Sequence, residues 1–510
     1  MNHLRRNSLL LFTGILVVGC GDFRGASNPY SYAPTTSSSL WEPPVCLQQK
    51  PIILDDVDAN LLREKSLSLG EVIDIALHNN PSTKKTWAEA RAASAVYGQS
   101  LKDYFALADF TSDYMNYQEA LFTSTNLTNT VSNLSNTNES TNYFSGNTFH
   151  GVNYGAQLDL TYTILDFGQT RASSKAALAA LHQADFAHNS QIQITIKDVM
   201  NDYYLYLAQK ANVAAAEQNV VNAQVSLSAV EQRFKSGVAD MSDKLQATTK
   251  LLEEKLSLVR QKQELTYAYT KLLTDMGLPG SSILSFEDYP EKLQLYEILD
   301  LSSLLCIAAK KRPDLLAARE SVEVKKQSLK YACAKRYPTV NASFEVGRER
   351  ANLGIGSYSD YMLSLNMNFP LFHGFFIQNG IKKAESELSG AEASLKQLEL
   401  ETAAEITNYF HDVNFSKEAY QYSKEYLHSA EAEFKVTLEE YKAGLATIVE
   451  LISAQTAVAS AKSKLIDAEK NWYSSIANVS YATGVLTTYT HEDKSLPQNQ
   501  LPSSCNKETF

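Results

Sequence analysis

Beyond its first twenty residues the sequence has no run of 18 consecutive apolar residues. A helix that crosses a bilayer needs about 20, so no helical membrane span is expected. It also lacks any basic excess: 46 Lys and Arg stand against 57 Asp and Glu, a net charge of −11. Nucleic acid is therefore not expected as the main partner, because phosphate binding needs a basic surface. Cysteine is scarce, with five residues and no metal-ligand spacing among them. His-Glu-x-x-His, the phosphate-binding loop and the Gly-x-Ser-x-Gly elbow are all absent, and the nine His are scattered. No catalytic residue, metal site or cofactor is expected, and an enzyme is not the reading. With 44% apolar residues and only 13 Pro, the chain reads as folded rather than disordered.

What is present begins with a targeting segment, residues 1–19. Arg5 and Arg6 form a basic start, and Leu9–Val18 is an apolar run too short to span a bilayer. It ends Val17-Val18-Gly19-Cys20, which resembles a bacterial lipobox and makes Cys20 the expected lipidation site, a palmitate-bearing anchor in outer-membrane lipid. An ordinary signal peptide containing a Cys is the alternative. Gly21 stands where an Asp commonly retains lipoproteins at the inner membrane. Residues 20–65, rich in Ser, Pro and Tyr, read as an extended tether, and 488–510 as a disordered tail. Cys46 and Cys505 lie in these terminal segments and are open to pairing. Cys306 and Cys333 fall on predicted helix faces and are expected as buried free thiols.

The body is organised by a heptad stripe. Ile406, Val413, Tyr420, Leu427, Phe434 and Tyr441 recur every seven residues, and 207 positions earlier stand Val199, Tyr206, Val213, Val220, Leu227 and Phe234. Such a stripe predicts a long helix with a slight left-handed supercoil, and its recurrence predicts a tandem repeat. The first unit is expected over 66–279 and the second over 299–487, joined by 280–298. Ser68 with Glu71 predicts a capping box at the first helix start. Alternation over Tyr154–Ile164 predicts a strand, with 104–118 as its partner and 119–150 as a long Asn/Ser/Thr loop, all within a hairpin over 104–165. A second hairpin is expected over 338–370. Long helices then run about 170–235 and to Tyr441, each closed by Gly237 or Gly444, and Ser242 or Asp240 is expected to cap the next helix.

Four strands with one apolar face cannot close a membrane barrel alone, so symmetric assembly is expected. Helix–strand–strand–helix twice over, with Ser68-Leu-Gly-Glu, Asn80-Pro81, Arg312-Pro313-Asp314-Leu315 and Glu440-Tyr-Lys-Ala-Gly444-Leu-Ala-Thr-Ile-Val-Glu450, resembles the TolC-like outer-membrane efflux family. With Cys20, it resembles that family's lipoprotein branch, which partners resistance-nodulation-division pumps. The resemblance implies a mainly α protein with a membrane β-barrel: a homotrimer with a twelve-stranded barrel, four strands per chain, on a long periplasmic α-helical barrel. It implies a passive exit duct that docks a periplasmic adaptor and an inner-membrane pump. A type I protein-secretion duct, and a surface adhesin or structural lipoprotein, are the alternatives.

The same resemblance carries site residues. Gly237, Val238 and Ala239, with Gly444, Leu445 and Ala446, match adaptor-docking turns, though any helical hairpin needs such caps. Asp243, Tyr441, Glu450 and Ser453 match a periplasmic gate, in which Asp243 and Tyr441 form an inter-helix hydrogen bond and Glu450 a carboxylate ring. Ser453 leaves that ring single, and Ala446 stands where some relatives carry a basic residue, which implies a weaker lock. Glu450 reads equally as a solvated helix charge, and Tyr441 as ordinary packing.

Overall fold

A computed structural model describes residues 30, 36–39, 66–125, 143–289, 300–351 and 356–486. The signal peptide, Cys20, most of the tether, Cys46, Cys505 and the tail lie outside the described residues. Within them, β1 (Ser66–Leu67) leads into α1 (Leu69–Asn79), α2 (Pro81–Ser100), β2 (Leu107–Thr125), β3 (Tyr143–Leu165), α3 (Gln169–Lys235) and α4 (Met241–Asp275). After β4 (Ser285–Phe286) follow α5 (Leu301–Lys311), α6 (Pro313–Ala334), β5 (Thr339–Ala351), β6 (Gly356–Asn368), α7 (Phe376–Ala443) and α8 (Ile448–Ala482). At about 1.5 Å per residue, the 67 residues of α3 and 68 of α7 each extend roughly 100 Å. The chain divides into a sheet unit built on 96–177 and 325–387, and a helical unit built on the remaining described residues.

The sheet unit is a four-stranded antiparallel sheet in the order β2-β3-β5-β6. Register aligns Phe110, Leu158, Val346 and Tyr361 in one row, which puts an apolar row across all four strands on one face. The opposite face carries the row Asp109, Asp159 and Glu345. Like charges directly opposed destabilise a sheet unless water solvates them, so this is a wet face. Both hairpin strands reach further than their alternation predicts. β2 runs on to Thr125 and β3 starts at Tyr143, so much of the expected 119–150 loop is paired strand, with Thr123 opposite Ser145. The ladder needs only backbone groups, and Thr, Tyr and Phe favour it even where polar residues on both faces erase the alternation.

Both strand-to-helix junctions turn through two consecutive left-handed residues, Phe167-Gly168 (φ 52° and 91°) and Gly374-Phe375 (φ 56° and 62°). These pairs are 207 residues apart, the same offset as the heptad stripes. At the first junction the Asp166 carboxylate accepts from Gly168 N–H at 2.9 Å and from Thr170 N–H, closing the start of α3.

In the helical unit the stripe is buried at Ile406, Val413 and Tyr441 on α7 and at Val199 and Leu227 on α3, and half-buried at its other positions. Ser68 closes the expected capping box, its Oγ accepting from Glu71 N–H while Glu71 accepts from Ser68 N–H at 2.9 Å. Asp240 stands at the start of α4 but its side chain makes no cap. The short β1 and β4 pair in parallel over a core of Leu67, Tyr203, Leu272 and Phe286. Each repeat turns its α-helical corner in the same way. Asn80 Nδ2 donates to the Asp275 carbonyl at 2.8 Å, and Arg312 Nη1 to the Ala482 carbonyl at 3.3 Å. Arg312 also pairs with Glu405 at 2.6 Å and Asp314 at 2.8 Å, so the second corner adds charge to a shared geometry.

One cysteine expectation is overturned. Cys306 is disulfide-bonded, not free. Its partner lies outside the described residues, since Cys333 is a free, half-buried thiol. Amphipathic patterning places a thiol on a helix face but carries no signal for which distant segment meets it, and an oxidising compartment couples the two when they meet.

Candidate functional site at the paired helical turns

The ends of α3 and α7 converge on one construction. Gly237 (φ 75°) and Gly444 (φ 83°) adopt the left-handed conformation that favours glycine. Val238 N–H donates to the Arg233 carbonyl at 3.0 Å and Gly237 N–H to Phe234 at 3.0 Å; Leu445 N–H donates to Glu440 at 2.8 Å and Gly444 N–H to Tyr441 at 3.1 Å. This double closure satisfies the last carbonyls of each helix and fixes the exit of the chain. Ala239 and Ala446 add a further bond to the same Arg233 and Glu440 carbonyls, each at 3.3 Å. The closures leave Val238 65% and Leu445 83% exposed at the turns.

Behind the turns both repeats share one core, in which Leu227, Val230 and Leu251 pack with Tyr441, Ile448 and Leu451. Tyr441 is 2% exposed and its hydroxyl has no hydrogen-bond partner. Burial pushes its phenol pKa up, opposed by the Arg233 guanidinium and reinforced by Asp243. Asp243 is thus within electrostatic reach of Tyr441, yet the expected Asp243–Tyr441 hydrogen bond is not formed among the described residues. Arg233 makes the contact instead. Its Nη1 donates to the Tyr441 carbonyl at 2.5 Å, and its guanidinium carbon lies 4.5 Å from the ring centre. The basic group missing at Ala446 is thus supplied from the other repeat, a residue that the sequence reading misses.

Glu450 and Asp243 are repeat-equivalent, 207 residues apart, but behave differently. Thr447 and Glu450 close a capping box: Thr447 N–H donates to Glu450 Oε2 at 2.7 Å, and Glu450 N–H to Thr447 Oγ1 at 3.3 Å. These bonds from Thr447 hold the Glu450 carboxyl below its usual range. Its charge is thereby fixed at the start of α8, fully exposed, with Ser453 exposed one turn on. The Thr-x-x-Glu spacing is the signal that reveals this role, the same spacing as Ser68 and Glu71. Among the described residues no group of three His, Cys, Asp or Glu is placed to hold a metal ion, and no helix is long and apolar enough to cross a membrane.

Residues 72–278 and 304–485 match the family model described as outer membrane efflux protein. The chain belongs to that family. As an outer membrane efflux protein it is the outer-membrane channel of a tripartite efflux system, with a periplasmic part. Channels of this family are homotrimers that dock adaptor proteins and inner-membrane pumps. The efflux protein is 24% identical to Protein CyaE of Bordetella pertussis over 406 residues, covering 79% of this chain and 81% of that relative. It is 23% identical to outer membrane protein TolC of Escherichia coli K12 over 366 residues, 68% of this chain and 72% of the relative. The crystal structure of the outer membrane protein VceC from Vibrio cholerae shares the fold, with a TM-score of 0.69 at 17% identity over 82% of this chain and 96% of VceC.

Proposed function

We propose that this efflux protein works as a homotrimer whose paired turns, Gly237-Val238-Ala239 and Gly444-Leu445-Ala446, dock a periplasmic adaptor that joins it to an inner-membrane pump. The observation that carries this reading is the pair of apolar residues, Val238 and Leu445, held outward by rigid closures. An exposed apolar side chain on a fixed backbone costs solvation and favours a protein partner that covers it. The same end of the helical unit serves as the gate. Arg233 ties the two turns together at Tyr441, with the Asp243 charge within electrostatic reach, and Glu450 and Ser453 are exposed where three copies would face one axis. A ring of Glu450 carboxylates attracts cations and repels anions. Residues 1–19 act as signal peptide, Cys20 carries the lipid, 20–65 tether it to the repeats at 66–279 and 299–487, with 280–298 between them and 488–510 as tail.

Leu445→Glu tests the docking role without touching Gly444, whose positive φ would add strain to any substitution. Pull-down of the adaptor is expected to fail while the oligomeric mass stays at that of the native protein. Adaptor binding that survives the charge would reduce the turns to helix caps.

A further inference from the structure

In the sheet unit a pocket of about 330 Å³ opens where β3 gives way to α3, lined by Phe167, Gly168, Arg171, Lys175, Gln327 and Lys330. Arg171 and Lys175 are four residues apart on one face of α3, and Gln327 and Lys330 three apart on one face of α6. Two helices thus turn three cations into one concavity, and among the described residues no carboxylate lines it. Like charges at such spacings repel. Among the described residues none of the three has an ion pair, although Lys325, also in α6, pairs with Glu387 at 3.0 Å. A chain with net charge −11 has acids to spare, and among the described residues it uses none here. The fold does not demand all of the cations either, for the repeat-equivalent positions of Arg171 and Lys330 hold Gln378 and Gly98, while Lys175 recurs as Lys382. An anion between the three removes the repulsion.

The surroundings say which anion. Phe167 forms one wall and stacks on Tyr337 with ring centres 5.2 Å apart. Immediately before it, Tyr162, Ile164 and Leu165 expose apolar side chains on the last turns of the strand. In an outer-membrane protein the strands end at the bilayer surface, and aromatic rings gather at headgroup level. The pocket therefore sits at the depth of lipid phosphates, and its volume suits a headgroup rather than a whole lipid. We propose that Arg171, Lys175 and Lys330 bind the phosphate of an anionic phospholipid from the inner leaflet, with the Gln327 amide and the Phe167 ring framing the glycerol. The inference rests on the outer-membrane location and is independent of the turns that dock the adaptor.

The test uses the full-length oligomer in nanodiscs of phosphatidylethanolamine containing a minority of phosphatidylglycerol, with retained lipid read by native mass spectrometry. Phosphatidylglycerol is expected to be enriched over its bulk share, and the enrichment to fall about fivefold for each cation removed in Arg171→Gln, Lys175→Gln and Lys330→Gln. Lys335→Gln, outside the pocket, is expected to keep it. Lys330→Gln alone gives the reading where the combined variant does not assemble, because that side chain is exposed. Wild-type protein without enrichment, or variants that keep it, overturn the proposal. So does millimolar inorganic phosphate that strips the lipid as fully as the variants, which would mark a free-phosphate site. Adaptor pull-down on the same samples separates this outcome from failure of the docking surface.

Discussion

Replacing Arg233 with Ala is expected to release the two turns from each other. The guanidinium donates to the Tyr441 carbonyl at 2.5 Å and stands 4.5 Å from its ring. A hydrogen bond from a charged donor contributes about 1.5–3 kcal/mol, and a cation–ring contact about 0.5–1 kcal/mol at accessible sites. Arg233 is half-buried, so solvent screening favours the lower end, about 2 kcal/mol in all. At about 1.4 kcal/mol per factor of ten, the closed-to-open ratio of each chain falls roughly 30-fold. Arg233→Lys keeps the charge but loses the planar fork, and is expected to recover part of the loss. The assay is open probability in planar bilayers, with unfolding of the helical unit followed in parallel. An Arg233→Ala channel as closed as the native one, with the same unfolding midpoint, would refute the lock.

Tyr441→Phe removes a buried hydroxyl that has no partner, so its stability is expected within about 0.5 kcal/mol of native or slightly above, with gating unchanged; a marked opening in the same bilayers would restore the Asp243–Tyr441 bond as the lock. Gly277→Ala and Gly237→Ala share a left-handed backbone (φ 73° and 75°), but a Cβ at 277 would meet the Asn79 backbone at 2.6 Å, whereas at 237 nothing lies within 4 Å. The first is expected to cost about 1–3 kcal/mol more than the second, read as a lower thermal midpoint; equal midpoints would sink the packing argument. Asp185 is fully buried, both carboxyl oxygens lack partners among the described residues, and burial raises its pKa to about 8. A folded-state pKa above the unfolded value near 4 means that native protein holds the extra proton, so stability falls as pH rises from about 4 to about 8. Asp185→Asn is expected to flatten that part of the pH–stability curve; an unchanged slope in thermal melts would clear Asp185 of the effect.

The repeat was the most legible part of the chain because it is carried by spacing. The 207-residue offset of the heptads extends to Gly237 and Gly444, to Asp243 and Glu450, and to the paired left-handed residues at the two junctions. Strand extent was less legible, since residues around Thr123 and Ser145 pair through backbone without an apolar face to announce it. The Arg233–Tyr441 contact was half legible. Tyr441 follows from its heptad position, but Arg233 reaches it across 208 residues, and only packing brings the two together. Thr447 and Glu450 show a capping box in plain spacing, which the gate reading of Glu450 passes over. Cys306 had no local signal at all, because its partner's identity depends on where a distant segment lies.

The sheet order β2-β3-β5-β6 leaves two strands with a free edge in every chain. In a family whose channels are homotrimers, a ring closed through these edges would have each copy lend both to neighbours, and the consequence would be genetic. A subunit that folds but cannot offer its β2 or β6 edge spoils any ring that admits it. When half the pool is of that kind, only roughly one ring in eight is free of it. Edge lesions should therefore act dominantly over a normal copy. A lesion in the α8 core that prevents folding should be recessive, since it only lowers supply.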